Sequence, residues 1–128
     1  MPAPATFDYA ILRVVPRVER EEFINAGVVI FCLEKKYLDA RIRLDAERLI
    51  ALWPEVDTEL VRAHLEAVPR ICIGDVAGGP IAKLSQRERF HWLTSPRSTI
   101  IQPSPVHTGV CDGTEGILDR LATQFLGV

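Results

Sequence analysis

The chain has 128 residues, of which 48% are hydrophobic and 25% are charged, and its formal net charge is -2. These values are typical of one globular domain that needs neither a disulfide nor a metal to fold. The weak negative charge argues against general nucleic-acid binding, and no apolar run approaches the roughly 18 residues that span a membrane. We therefore expect a single domain over residues 1–128, with a loose tail over residues 1–5.

Three segments have the composition of β-strands. Residues 6–15 are aromatic and branched, and both alternating sets are mostly apolar, as in a central strand that Pro16 ends. Residues 26–33 are nearly all apolar, like a buried strand, whereas residues 37–44 alternate apolar with charged side chains. The short polar link between the last two segments predicts an antiparallel hairpin.

Helix signals follow the strands. Asp45 and Asp57 are each placed to cap a helix N-terminus, and Ser85 opens a capping-box pattern that predicts a short helix over residues 85–93. Residues 99–102 have the composition of a short fourth strand at an edge. A C-terminal helix is indicated by one apolar stripe: Ile117, Leu118, Leu121, Ala122, Phe125 and Leu126. The fold class predicted is α+β, an antiparallel sheet of three to four strands with helices packed on one face.

The cysteines give no framework for a disulfide or a metal. The chain has an odd number of cysteines, and none of them forms a Cys-x-x-Cys motif: Cys32, Cys72 and Cys111. This pattern favours reduced thiols in a cytoplasmic protein. The N-terminus lacks the basic and apolar regions of a signal peptide. No phosphate-binding loop, nucleophile elbow, dinucleotide fingerprint or zinc-protease motif occurs, so we expect no cofactor and no metal. The chain holds no complete set of catalytic residues, which favours a non-catalytic role.

Basic and hydroxyl side chains concentrate in residues 87–109. The wider segment 78–109 carries a net charge of +3, from four basic and one acidic side chain, in a chain whose total is -2. Guanidinium groups bind phosphates and carboxylates through two parallel hydrogen bonds, and polar groups on a constrained loop are typical of sites. The predicted ligand-binding residues are Arg89, Arg97, Ser98, Thr99, Gln102 and His107.

A purely structural interpretation stays open for each of these residues. Arg97 would then satisfy loop carbonyls, and His107 would cap a turn. Elsewhere, His64 lies near an apolar helix face and is expected to be a hydrogen-bonded core histidine, and Phe90 and Trp92 are expected in the core. The spacing of the remaining histidines and cysteines matches no zinc site.

Three sequence blocks, residues 7–16, 20–28 and 88–109, are similar to a bacterial family defined by a domain of unknown function, number 3037. The resemblance covers nearly the whole chain. It implies a small, stand-alone cytoplasmic protein, and the neighbourhood of its genes to those of HipA-like kinases implies a partner role. It implies no catalytic residue.

These observations lead to a non-catalytic partner or regulator of a HipA-like kinase, with an anion-binding surface around Arg97. The alternative is an enzyme or sensor that binds a phosphorylated small molecule. A nucleic-acid-binding antitoxin is disfavoured by the acidic composition and the absence of a recognisable helix-turn-helix. Geometry separates the first two: convergence of the polar side chains on a concave pocket favours a ligand, and a flat surface beside apolar residues favours a partner.

Overall fold

A computed structural model describes residues 5–97, 99–111 and 116–128, apart from the side chains of Ala77 and Cys111. The described residues form one antiparallel sheet of five strands, in which β1 is central. The strands are β1 (Ala5–Val14), β2 (Ile24–Cys32), β3 (Tyr37–Ile42), β4 (Ile101–Pro103) and β5 (His107–Cys111). The α+β class and the antiparallel sheet predicted from the sequence are confirmed.

The predicted hairpin is formed by β2 and β3. Their register runs from Gly27 opposite Ile42 to Cys32 opposite Tyr37. The turn closes through the backbone N–H of Lys36, which donates to the Leu33 carbonyl at 3.2 Å. The alternation of charged and apolar side chains in β3 therefore located the hairpin correctly.

The second side of β1 is paired with two short strands instead of one long strand. β4 pairs with the end of β1 and β5 pairs with its beginning. Between them, the buried Ser104 replaces a strand residue: its backbone N–H donates to the Ile11 carbonyl at 2.7 Å, and its hydroxyl accepts from the Ile11 N–H at 2.8 Å. Ser104 thereby keeps both polar groups of Ile11 satisfied where Pro103 and Pro105 interrupt the edge.

Four helices connect and cover the strands: α1 (Ala46–Leu52), α2 (Thr58–Ile73), α3 (Gln86–Thr94) and α4 (Ile117–Leu126). The predicted caps are confirmed, since Asp45, Asp57 and Ser85 each accept a backbone N–H of the first turn. Single 3-10 turns lie at Val18–Arg20, Val76–Gly78 and Pro80–Lys83. In the described part of the chain, no helix combines the length and apolarity that crossing a membrane requires.

The helices cover both faces of the sheet, not the single face that was predicted. α4 packs on the face that presents Phe7, Ile11 and Ile30. α2 and α3 pack on the opposite face, against Leu12 and Val29. The physical reason is visible in the sequence, because a strand with two apolar sides is stable only when both sides are covered. The sheet also has one strand more than the three to four expected, since the proline-interrupted edge supplies two.

Candidate binding cleft

A cleft of about 370 Å³ opens on the α2 and α3 face, beside the end of α3 and strand β4. Its floor contains the buried side chains of Leu12, Val68 and Leu93. The polar and aromatic side chains lie around it. The remaining lining residues are His64, Ala67, Ile71, Trp92, Arg97, Thr99, Ile100, Ile101 and Pro103. The cleft is therefore an apolar depression beside one permanent positive charge.

Local sequence explains why the chain turns back toward α3 at this point. Ser95 is extended, with φ -69° and ψ 137°, because a residue before proline is disfavoured in the helical region. The hydroxyls of Thr94 and Ser95 donate to carbonyls of the last helical turn, at 2.9 Å to Phe90 and 2.7 Å to His91. These bonds satisfy groups that the ended helix leaves open. The chain then brings Arg97 alongside α3.

Arg97 is held against Trp92. Its Nη2 donates to the Trp92 carbonyl, and its Cζ lies 4.3 Å from the centroid of the Trp92 ring, a cation–π distance. Burial lowers the pKa of the Arg97 guanidinium, which nevertheless stays protonated at neutral pH. A guanidinium has five N–H donors, so the bond to Trp92 leaves most of them for another acceptor.

Arg89 is used differently. Its Nε donates to the Leu84 carbonyl at 3.0 Å, and its Nη1 donates to the carbonyls of Ile71 and Cys72 at 2.8 and 2.7 Å. The last two carbonyls belong to the final turn of α2, where a cation also interacts favourably with the helix dipole. The guanidiniums of Arg89 and Arg97 thus bind different backbone carbonyls, and Arg97, but not Arg89, lines the cleft.

The other predicted site residues are divided between the two faces. Thr99 lines the cleft, and its hydroxyl donates to the Ile101 carbonyl at 2.9 Å. Gln102 donates from Nε2 to the Thr99 carbonyl at 2.9 Å, but alternation along β4 points its side chain to the α4 face. His107 also lies on the α4 face, where it pairs with Tyr9 at 5.4 Å between ring centroids. Ser98 lies outside the described residues.

Two lining residues were assigned to the core and are not there. Trp92 is 38% exposed, whereas Phe90 and Leu93 are buried as expected. Since Phe90 and Leu93 fix the inward side of α3, the helical period alone places Trp92 off that side. His64 is exposed at the cleft. Leu60, one turn earlier, is itself 51% exposed, so the side of α2 that carries Leu60 and His64 does not belong to the core.

The described residues show no cluster of potential metal ligands. Within residues 5–97, 99–111 and 116–128, no three side chains of His, Cys, Asp or Glu are grouped so that they could hold an ion. Cys32 and Cys72 are buried and free, as predicted for these two thiols, while the side chain of Cys111 is outside the description. Burial raises the pKa of the Cys72 thiol to about 12, which makes this thiol a poor nucleophile.

A small α+β protein with an apolar cleft and an arginine beside it is the class that this geometry defines. The chain belongs to the family described as "Protein of unknown function (DUF3037)", whose model matches residues 9–126. No curated protein and no solved structure matches the chain. The family resemblance drawn from the three sequence blocks is thus confirmed.

Proposed function

We propose that this protein is a non-catalytic binding partner that receives an apolar side chain of another protein in the cleft and a carboxylate of that protein on Arg97. The observation that carries the proposal is the position of Arg97 beside an apolar depression. Its guanidinium is partly buried, and most of its N–H donors make no hydrogen bond to the described residues. Interface residues that dominate affinity are commonly arginine and tryptophan next to well-packed apolar pockets.

The residues that line the cleft would contribute to such an interface in different ways. The half-buried lining side chains of Ile100 and Ile101 provide apolar surface that a partner can cover, and burying such surface contributes roughly 25 cal/mol per Å². Arg97 fixes the orientation of the partner, because its planar guanidinium donates two parallel hydrogen bonds to a carboxylate. Trp92 keeps the guanidinium in place, which reduces the entropy lost when the partner binds.

The candidate partner is a HipA-like kinase in the cytoplasm. This finer identification rests on the family resemblance and on the absence of a complete catalytic set in the sequence. An acidic or neutral surface on that kinase, with an exposed apolar side chain beside an aspartate or glutamate, is the chemistry that the cleft fits.

The second candidate, a sensor or enzyme for a phosphorylated small molecule, is favoured by one observation. The volume of about 370 Å³ lies within the 300–1,000 Å³ typical of small-molecule sites. The lining is less favourable to phosphate. Arg97 is the one arginine or lysine among the lining residues of the described chain, and phosphate recognition ordinarily combines several charged or backbone donors.

The test compares wild type with Arg97→Ala, Arg97→Lys and the control Arg87→Ala, which removes an exposed arginine of α3 that does not line the cleft. A hydrogen bond to a charged acceptor contributes roughly 1.5–3 kcal/mol. Arg97→Ala should therefore weaken capture of the kinase about ten- to a hundred-fold. Arg97→Lys should recover part of the loss, because lysine keeps the charge without the fork.

A thermal-shift panel of phosphate, nucleotides and sugar phosphates on the same variants tests the second candidate. An Arg97-dependent stabilisation by one of these compounds, without kinase capture, would replace the partner role by a ligand role. If neither assay responds to Arg97, both roles are wrong for this cleft.

A further inference from the structure

A second arginine site lies on the opposite face of the sheet. Arg13 is in the central strand β1, directly opposite Asn25 of β2 and Gln102 of β4. The neighbours Val14 and Ile101 belong to the core below α1 and α2, so Arg13 and its two partners point to the α4 face. Three polar side chains thus form a row across three adjacent strands, at separations that allow contact.

The guanidinium of Arg13 has no polar partner among the described residues. Its Nε is buried and makes no hydrogen bond, and the ion pairs of the described chain do not include it. Its contact is with Phe23, since Cζ lies 4.4 Å from the ring centroid, and Phe23 is itself 44% exposed. A buried Nε–H without an acceptor is unusual, because buried donors are almost always paired.

The neighbouring side chains opposite Arg13 add further N–H donors. Asn25 donates from Nδ2 to the Phe125 carbonyl at 3.3 Å, and Gln102 uses Nε2 on the Thr99 carbonyl. Each amide nitrogen carries a second N–H. Glu19 and Glu22, in the connector that holds Phe23, are engaged by Arg17 and Arg20.

We propose that Arg13, with the amides of Asn25 and Gln102, binds a carboxylate on the α4 face. This site is separate from the cleft and goes beyond the proposed function. A carboxylate is the fitting anion because one guanidinium and neutral amides match its single charge and planar shape, whereas phosphate calls for more positive charge. The carboxylate is that of a small free acid or of an aspartate or glutamate side chain of another protein.

The test follows the side-chain Nε–H signals of the arginines by NMR on the ¹⁵N-labelled full chain. Sodium acetate is titrated at constant ionic strength against sodium chloride. The Arg13 signal should shift and saturate, and the signal of the exposed Arg48 on α1 should not. In Arg13→Lys, the acetate dependence followed on the Gln102 side-chain amide should weaken at least about tenfold.

Further arms separate the sources and keep the proposal falsifiable. A capped peptide with one glutamate that binds more tightly than acetate indicates a protein side chain, and equal binding indicates a free acid. Gln102→Ala retains Arg13 and should weaken acetate binding severalfold, which replaces Arg13→Lys if that variant does not fold. A shift at Arg13 no larger than that at Arg48, or acetate binding unchanged by Arg13→Lys or Gln102→Ala, would overturn the site.

Discussion

Arg89 and Arg97 come from one short segment and meet very different surroundings. Arg89 places its Nε and one Nη on three backbone carbonyls and holds the end of α2. Arg97 donates one hydrogen bond to the Trp92 carbonyl, and its guanidinium packs on the Trp92 ring beside the cleft. An arginine's role therefore depends on how many of its N–H donors the fold has already used.

The largest effect is expected from removal of Arg89. Arg89→Ala leaves carbonyls at the end of α2 without their charged donor, and we expect the free energy of unfolding to fall by about 2–4 kcal/mol. Arg89→Lys should restore part of it. Urea unfolding measures both, and Arg87→Ala, an exposed change on the same helix, should stay within about 0.5 kcal/mol of wild type. If Arg89→Ala lowers the free energy of unfolding no more than Arg87→Ala does, Arg89 does not have this structural role.

Alkaline pH should weaken the Arg89 region in particular. Burial, and then the charge of Asp39, raises the pKa of the Cys72 thiol to about 12, against a smaller lowering effect of Arg89. The same two causes raise the pKa of the more exposed Tyr37 to about 12. Because the unfolded chain releases these protons at lower pH, the stabilisation is complete below about pH 9 and is lost as pH rises toward 12.

The Cys72 contribution can be isolated by substitution. By about pH 10.5 the wild type should lose up to about 2 kcal/mol through this thiol, and Cys72→Ala should show a shallower decline in urea unfolding. Arg97→Ala should keep the wild-type pH dependence, since Arg97 lies in the other region. Identical declines in wild type and Cys72→Ala would show that another group is responsible.

A smaller effect is expected at Trp92. Trp92→Leu removes the ring beneath Arg97, a cation–π contact of about 0.5–1 kcal/mol, and should weaken kinase capture about two- to fivefold. In an Arg97→Ala background the same change should have almost no further effect. Additive losses in this double-mutant cycle would mean that Trp92 contacts the partner independently of Arg97.

The sequence was informative about the scaffold because its signals are local. The alternation in residues 37–42, the caps at Asp45, Asp57 and Ser85, and the stripe of α4 each depend on a few neighbouring residues. The prediction that helices cover a single face of the sheet was wrong, because the residues that pack against each other are distant in sequence. The two apolar sides of β1 nevertheless indicated that both faces are covered.

The site was harder to predict because it depends on which long side chain meets which carbonyl. Arg89, Arg97 and His107 are equivalent as candidate donors in the sequence. Only the fold brings Arg89 to the end of α2, Arg97 to Trp92, and His107 to the opposite face of the sheet. The Arg13 site could not be predicted from the sequence, because a single arginine in an apolar strand belongs to no motif.

The comparison of the two arginines is tested most directly by the exchange of their side-chain Nε–H protons with water, measured in one NMR spectrum of the wild type. The Nε–H of Arg89 is bonded to the Leu84 carbonyl and should exchange at least about tenfold more slowly than that of Arg97. Comparable exchange rates, or stronger protection at Arg97, would contradict the assignment of Arg89 to structure and Arg97 to binding.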